Sequence, residues 1–275
     1  MPNFLAILLL VFALAGCTKL ITDVATVSDP GRYEVSLPGS GVTLGGILFR
    51  PASPAKPLPA IIVLHGWEHP GVPGASRVEG TARRLSEQGY VALALSMRGW
   101  RPSSGWDDCG TKQPDDVAKA AEWLATLPGV KADSIGVLGF SLGGQVALLS
   151  GARTGRIKAI VAYFPITDVQ RWGDTTSNPG IRYFYVPLVC GTGDQNSPIH
   201  VAEQIHAPVL LIHGDRDTEV PTEQSLKMQE ALRKANRHVE LLVIGGGDHG
   251  FKGAQDEQAW SAATKFLRLH LGSRE

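Results

Sequence analysis

Short, largely apolar runs alternate with amphipathic segments along most of the chain. The runs predict strands covered on both faces, and they lie at 60–64, 90–95, 135–138, 157–163, 209–212 and 239–244. Apolar residues at helical spacing predict helices at 76–89, 114–127, 145–149, 222–234 and 257–271. Because strands that alternate with helices require right-handed crossovers, the predicted fold class is α/β, with a mostly parallel, doubly wound sheet and helices on both faces.

Three stretches add detail to this alternation. A hairpin is predicted over 42–50, before the first buried strand. Ser76, with Glu79 three residues later, has the spacing of a capping box and predicts the start of the first helix. Residues 166–207 lack clear periodicity and contain several aromatic side chains, so we predict a cap insertion there. Its aromatic residues Trp172 and Tyr183 to Tyr185 fit a core more readily than a pocket.

Ser141 lies in a tight turn between a predicted strand and a predicted helix. The turn reads Gly139-Phe140-Ser141-Leu142-Gly143, and this G-x-S-x-G pattern between a strand and a helix indicates a nucleophile elbow. Glycines are needed at the flanking positions because side chains there would collide with the neighbouring strand and helix. The helix start places backbone N–H groups beside the serine, where an oxyanion would form.

An acid and a histidine follow the last two predicted strands. Asp217 comes after the strand at 209–212, and His249 comes after the strand at 239–244. Since the carboxyl ends of parallel strands share one edge of a sheet, we expect both residues near Ser141. A serine hydroxyl becomes a useful nucleophile when an imidazole takes its proton, and a buried carboxylate orients that imidazole.

Other residues compete for these roles. Asp215 is the rival acid, and Asp168 is a weaker one that we interpret as a loop cap. Asp248, adjacent to His249, is interpreted as a turn residue, and His65 as a structural histidine.

Four motifs in order resemble the α/β-hydrolases, in particular dienelactone hydrolase-like proteins and the catalytic domains of the prolyl oligopeptidase group. They are His65-Gly66-Trp67, the elbow at 139–144, the run from His213 to Pro221, and residues 248–251 (DHGF). The resemblance covers about Val42 to Leu271. It implies Ser141 as nucleophile, Asp217 as acid and His249 as base, with the backbone N–H groups of Trp67 and Leu142 as the oxyanion hole. Dienelactone hydrolases proper carry cysteine as the nucleophile and the peptidases carry a propeller, so the sequence departs from both.

Composition and charge exclude other classes. The 275 residues are 43% hydrophobic, and 26 basic residues balance 26 acidic ones. The chain therefore lacks the excess of basic residues that is typical of nucleic-acid-binding proteins. We expect no cofactor, because the triple glycine at 245–247 lacks the lysine and helix of a phosphate loop. We also expect no metal, because His65, Glu68 and His69 lie in a loop bounded by Gly66 and Pro70 rather than on a zinc-binding helix.

The N-terminus differs from the rest. An uncharged apolar run at 4–14 leads to residues 14–17 (LAGC), which resemble a bacterial lipoprotein signal with Cys17 as the lipidated residue. An ordinary secretory signal and an uncleaved anchor are the alternatives, since no basic residue precedes the apolar run. The expected organisation is a signal peptide at 1–16, a tether at 17–38 and a hydrolase domain at 39–275. The expected location is the bacterial cell envelope, with a lipid anchor in the outer membrane facing the periplasm. In that compartment Cys109 and Cys190 could form a disulfide or remain buried thiols.

These observations predict a serine hydrolase that cleaves small-molecule carboxylic esters through an acyl-enzyme. A small-peptide or amide hydrolase is the alternative, followed by a non-catalytic envelope-binding lipoprotein. Neither the acyl and alcohol groups nor the oligomeric state follows from the sequence.

Overall fold

The computed structural model describes residues 20–21, 29–52, 56–68, 72–191 and 195–272. In these residues one sheet has nine strands: β1 Leu20–Ile21, β2 Gly31–Pro38, β3 Thr43–Arg50, β4 Leu58–Leu64, β5 Val91–Leu95, β6 Val130–Phe140, β7 Ile157–Tyr163, β8 Val209–Gly214 and β9 Val239–Ile244. Their spatial order is β1-β2-β3-β5-β4-β6-β7-β8-β9. Strand β3 is antiparallel to both of its neighbours, β2 and β5. The six strands β5, β4, β6, β7, β8 and β9, in spatial order, are parallel to one another.

Helices cover both faces of the sheet. They are α1 Gly74–Glu87, α2 Gln113–Thr126, α3 Leu142–Arg153, α4 Val169–Thr175, α5 Glu223–Lys234 and α6 Ala254–Leu271, with a π-helix at Ile181–Cys190 and a 3₁₀ helix at Pro198–Gln204. Along β4, Ile62 and Leu64 pack into the core under α2, α3 and α5, while Ile61 and Val63 pack into the core under α1 and α6. Burial on both faces explains the unbroken apolar runs, and the predicted α/β fold class is confirmed.

The N-terminal half of the sheet extends further than the sequence predicted. Residues 31–38, assigned to the end of the tether, form β2 and pair with β3 along its whole length. Val35 and Leu37 are buried, each 2% exposed. With aliphatic residues only at Val35 and Leu37, the alternation of apolar and polar positions is too short to indicate a strand.

The first helix starts earlier than the predicted cap. Helix α1 begins at Gly74 after Pro73, and the hydroxyl of Ser76 donates to the carbonyl of Pro73 at 2.7 Å instead of accepting from the third helical N–H. Pro73 directly precedes the helix, and proline is tolerated at a helix start because the first N–H groups have no partner within the helix.

The segment between β7 and β8 is helical in most of its described part. It contains α4, the π-helix and the 3₁₀ helix, within the range predicted as the cap at 166–207. A disulfide joins Cys190, the last residue of the π-helix, to Cys109 in the loop before α2. Of the two possibilities that the sequence left open for these cysteines, the structure has the disulfide.

None of the helices within the described ranges combines the length and the apolar character needed to cross a bilayer. The signal peptide at 1–16 and Cys17 lie outside the described residues.

Candidate active site

The nucleophile turn joins β6 to α3 with Ser141 at its tip. The φ of Ser141 is 54°, in the left-handed region that L-residues rarely adopt. A Cβ at Gly139 would overlap the backbone of Gly143, and a Cβ at Gly143 would overlap the backbone of Leu64 and His65. The predicted reason for glycine at these positions is therefore confirmed, since only glycine lets α3 approach the sheet this closely.

Hydrogen bonds connect Ser141, His249 and Asp217 in one chain. The Oγ of Ser141 lies 3.0 Å from Nε2 of His249, and Nδ1 of His249 lies 2.7 Å from Oδ2 of Asp217. A carboxylate can only accept, so His249 carries its hydrogen on Nδ1 and leaves Nε2 free to accept from the serine. The structure thus brings together the three side chains that the sequence placed after three different strands.

Asp217 is held in its charged form. Its Oδ1 accepts hydrogen bonds from the backbone N–H groups of Glu219 at 3.0 Å and Val220 at 2.8 Å. Burial raises the pKa of the Asp217 carboxyl, but hydrogen bonds from His213 and His249 outweigh that effect and lower the pKa to about 2. The carboxylate therefore remains an acceptor for His249 throughout the neutral range.

Sequence reasoning missed the second histidine at this carboxylate. Nε2 of His213 lies 2.7 Å from the carbonyl oxygen of Val220 and 3.4 Å from Oδ2 of Asp217, and its Nδ1 lies 2.7 Å from the hydroxyl of Ser225. A carbonyl oxygen only accepts, so Nε2 carries the hydrogen and points it toward both oxygens. The signal was available, because His213 opens the same motif four residues before Asp217.

The rival residues have other partners. Asp215 is exposed and accepts from the N–H of Gly246 at 2.6 Å. Asp168 caps α4 by accepting from the N–H of Arg171, and Asp248 accepts from the N–H of His249. These acids bond to the backbone rather than to an imidazole.

His65 is fully buried beside the site. Its Nε2 accepts from the N–H of Met97 at 3.1 Å, its Nδ1 lies 2.6 Å from the carbonyl of Gly66, and its ring meets the edge of Trp100. Burial lowers the pKa of His65 to about 4. These contacts fit the structural role that the sequence favoured.

The loop that contains Trp67 passes directly against the serine. A Cβ at Gly66 would lie 3.4 Å from the Cβ of Ser141, and Leu142 is the first residue of α3. The N–H groups of Trp67 and Leu142, predicted as the oxyanion hole, therefore belong to the two backbone segments that flank Ser141. A helix N-terminus adds a favourable dipole at this position.

A sequence model described as the prolyl oligopeptidase family matches residues 77–274. The chain belongs to the prolyl oligopeptidase family. Family membership, together with relatives named as carboxymethylenebutenolidases, makes the protein a serine hydrolase of the α/β-hydrolase fold.

Two curated relatives of this family member align over most of their length. "Uncharacterized peptidase YtmA" of Bacillus subtilis is 24% identical over 86% of this chain and 93% of its own. "Putative carboxymethylenebutenolidase" of Escherichia coli K12 is 26% identical over 87% of each chain. One relative is thus named a peptidase and the other a carboxymethylenebutenolidase.

Solved structures share the fold. A puromycin-hydrolyzing peptidase of Mycobacterium tuberculosis superposes with a TM-score of 0.78 at 22% identity, over 89% of this chain and 40% of that one. A structure titled "Putative Dienelactone Hydrolase" from Klebsiella pneumoniae superposes with a TM-score of 0.69 at 22% identity, over 87% of this chain and 99% of that one. The family member therefore spans two-fifths of the peptidase chain and nearly all of the dienelactone hydrolase chain.

A cavity of about 350 Å³ opens at Ser141 and His249 of this prolyl oligopeptidase family member. Its lining includes the Glu68–Arg77 ion pair, whose N–O distance is 2.8 Å, and Glu219. The apolar residues of the lining are Phe140, Phe164, Ile166, Trp172 and Ile181. An uncharged group and a polar group of one substrate can both be accommodated beside the serine.

The aromatic residues of the cap fall into two classes. Trp172 is buried, 2% exposed, as the sequence favoured, but it also lines the serine cavity. Tyr183 and Phe184 are each 64% exposed, so the expectation that they are core residues was wrong.

Metal-binding geometry among the described residues occurs far from the serine. His238, Glu240 and His270 offer ligand atoms within 4.8 Å of one another. They lie at the amino end of β9, opposite to the edge that carries Ser141. In the loop after β4, residues 65–68 are not helical, and His69 lies outside the described residues.

Proposed function

We propose that this serine hydrolase cleaves carboxylic esters through an acyl-enzyme on Ser141. The hydrogen-bonded chain from Ser141 through His249 to Asp217 is the observation that carries the proposal. The relatives named as carboxymethylenebutenolidases, one of which aligns over 87% of its own length, support ester chemistry because a butenolide is a cyclic ester.

Each proton in this mechanism has a place to go. Nε2 of His249 removes the hydroxyl proton as Oγ of Ser141 attacks the carbonyl carbon, and Nδ1–H remains bonded to Asp217. The developing oxyanion accepts from the N–H groups of Trp67 and Leu142. Collapse breaks the bond to the alkoxy oxygen, which takes the proton from His249 and leaves as the alcohol. Water then loses a proton to His249 and attacks the acyl carbon. Collapse of this second intermediate breaks the bond to Oγ of Ser141, which takes the proton back from His249, and the acid is released.

The charge of Asp217 has a catalytic use in this scheme. His249 becomes an imidazolium in each half-reaction, and the adjacent carboxylate stabilises that cation. Because the pKa of Asp217 is lowered to about 2, the carboxylate is ionised at every pH at which the imidazole works as a base.

Hydrolysis of p-nitrophenyl acetate by the purified protein tests the proposal. We expect the S141A variant to lose at least about 1000-fold in kcat/KM, and the D217N variant about 1000- to 10,000-fold, with the circular dichroism spectrum unchanged. D215N is the matched control, since Asp215 is exposed and bonds to Gly246 rather than to His249. We expect D215N to retain full activity.

A fluorophosphonate probe gives a readout that does not depend on the substrate. Labelling should map to Ser141 and should be lost in S141A and strongly slowed in D217N. A folded protein that neither hydrolyses the ester nor reacts with the probe would overturn the proposal and favour a binding role.

Amide hydrolysis is the second candidate, favoured by the peptidase name of the Bacillus subtilis relative. Matched p-nitroanilide and p-nitrophenyl substrates with the same acyl group separate the two. A higher kcat/KM for the anilide than for the ester would replace the ester assignment while keeping the same three residues.

A further inference from the structure

A second cavity, larger than the one at the serine, lies on the cap. Its volume is about 480 Å³. We call it the apolar groove, and it is lined by Trp67, Asn178, Gly180, Ile181, Phe184, Tyr185, Leu188 and Val189. None of these lining side chains is charged.

The apolar groove adjoins the serine cavity. Trp67 and Ile181 line both cavities, one from the loop after β4 and the other from the start of the π-helix. The groove is therefore the apolar surface next to the cavity that holds the carbonyl carbon and the alkoxy oxygen of a substrate bound at Ser141.

The outer wall of the groove is held in place by bonds to the hydrolase core. The disulfide fixes Cys190 to Cys109, and the hydroxyl of Tyr185 donates to Oδ2 of Asp107 at 2.7 Å. The carbonyl of Cys109 accepts from Nε2 of Gln145 on α3, at 2.9 Å. The π-helix is thus tied to the helix that begins at the nucleophile, which favours a preformed groove.

Large apolar side chains are exposed along this wall. Phe184 is 64% and Leu188 is 78% exposed, and both line the groove beside the serine cavity. The serine cavity, in contrast, carries Glu68, Arg77 and Glu219. An uncharged groove beside a cavity with charged residues fits a substrate that has a reactive polar end and a hydrocarbon end.

We propose that the apolar groove binds an extended hydrocarbon chain of the ester, so that the enzyme prefers long-chain over short-chain substrates. This inference rests on the proposed ester hydrolysis at Ser141. The chain could belong to the acyl group or to the alcohol, because both leave the same carbonyl carbon.

Two substrate series test the inference and distinguish the two sources. One series is p-nitrophenyl esters from acetate to decanoate, and the other is acetate esters of straight-chain alcohols from ethanol to decanol, all below their critical micelle concentrations. Full burial of one methylene is worth about fourfold, so we expect kcat/KM to rise about two- to fourfold per added methylene in one series.

A matched pair of variants locates the preference in the groove. L188D places a carboxylate in the groove at an exposed position. If the acyl chain occupies the groove, we expect this variant to reduce the ratio of kcat/KM for p-nitrophenyl octanoate to that for the acetate at least tenfold. If the alcohol occupies it, the same reduction should appear in the ratio for octyl acetate to ethyl acetate. L269D makes the same change at a residue of α6 that is 72% exposed and does not line the groove. We expect L269D to leave the ratio unchanged, and F184S repeats the test if L188D does not fold.

The outcomes separate this inference from the proposed function. Failure of the wild type to hydrolyse any ester of either series would contradict ester hydrolysis itself. Acetate hydrolysis with flat profiles in both series, or with a chain-length preference equal in wild type and L188D, would overturn the inference alone. Flat profiles together with a dimer that L188D dissociates in sedimentation experiments would assign the surface to an interface between copies of the chain.

Discussion

Three histidines around the site show how neighbours decide a residue's role. The two ring nitrogens of His249 bond to a serine hydroxyl and to the Asp217 carboxylate. His213 bonds to the carbonyl of Val220 and the hydroxyl of Ser225 and also contacts that carboxylate. Both ring nitrogens of His65 bond to backbone groups. All three follow strands in the sequence, so their positions alone give similar expectations. The partners distinguish them.

We expect His65 to make the protein less stable in acid. Burial lowers the pKa of His65 from 6.5 to about 4, so between these values the unfolded chain binds more protons than the folded protein. The free energy of unfolding should therefore fall as the pH drops from 6.5 toward 4, by up to about 1.4 kcal/mol per pH unit from this residue.

Urea denaturation at several pH values measures this contribution. H65Q should be less stable than wild type at pH 7, and its stability should depend less steeply on pH between 6.5 and 4. H200Q, at an exposed histidine, is the control and should follow the wild-type slope. Equal slopes for H65Q and wild type would show that the acid sensitivity comes from other groups.

At the scale of single residues, the sequence predicted the site residues that a motif identifies by residue type and spacing. Ser141, Asp217 and His249 follow from one motif each and from the common edge of parallel strands. The contact between His213 and Asp217 depends on how the chain turns after β8, and periodicity contains no information about that turn.

Secondary-structure elements were predictable to the extent that burial is periodic. Strand β7 has the predicted bounds because all of its residues except Lys158 are buried. Strand β9 also has the predicted bounds, but the expectation that it is covered on both faces was wrong, because it is the last strand of the sheet and only Ile244 in it is buried. The π-helix was not predictable. Its ten residues include Pro187, and it is fixed by side-chain contacts to a distant loop rather than by local propensity.

We expect loss of the disulfide to weaken the π-helix first. The bond closes a long stretch of chain, because the two cysteines are 81 positions apart in sequence. A C109S/C190S double variant should lose about 2–4 kcal/mol in the free energy of unfolding, because the crosslink no longer restricts the unfolded chain.

Limited proteolysis distinguishes a local effect from a global one. Arg182 lies in the π-helix, where its guanidinium donates to the carbonyl of Thr176 at 2.6 Å. Trypsin should cut after Arg182 faster in the double variant than in wild type, while cleavage after Arg233 on α5 serves as the internal reference. Equal acceleration at both sites, or no change in stability, would contradict a local role for the disulfide.

For the whole molecule, the sheet explains how residues distant in sequence form one site. Ser141, Asp217 and His249 follow β6, β8 and β9, which are parallel, so their carboxyl ends meet at one edge. The cap completes the site from the same edge. The extent of the sheet at its N-terminal side was harder to predict, because β2 exposes one face and gives only a short alternating pattern.

We propose that Cys17 carries the lipid that attaches this molecule to the cell envelope. The proposal rests on residues 14–17 (LAGC) after an uncharged apolar run. Equal numbers of basic and acidic residues provide no net charge to attract the chain to an anionic membrane. Stable attachment to the membrane then requires more than one acyl chain. A lipid-modified cysteine at the N-terminus supplies these chains.

Expression of the full chain in a bacterium with a lipoprotein-processing pathway tests this proposal. Wild type should incorporate a palmitate analogue and enter the detergent phase of Triton X-114, whereas C17S should lose the label and remain in the aqueous phase. C109S is the matched control and should keep the label, because Cys109 is buried and disulfide-bonded. A wild-type chain without label, shortened after residue 16 or later and found in the aqueous phase, would identify an ordinary secretory signal. An unlabelled chain of full length in the detergent phase would identify an uncleaved anchor.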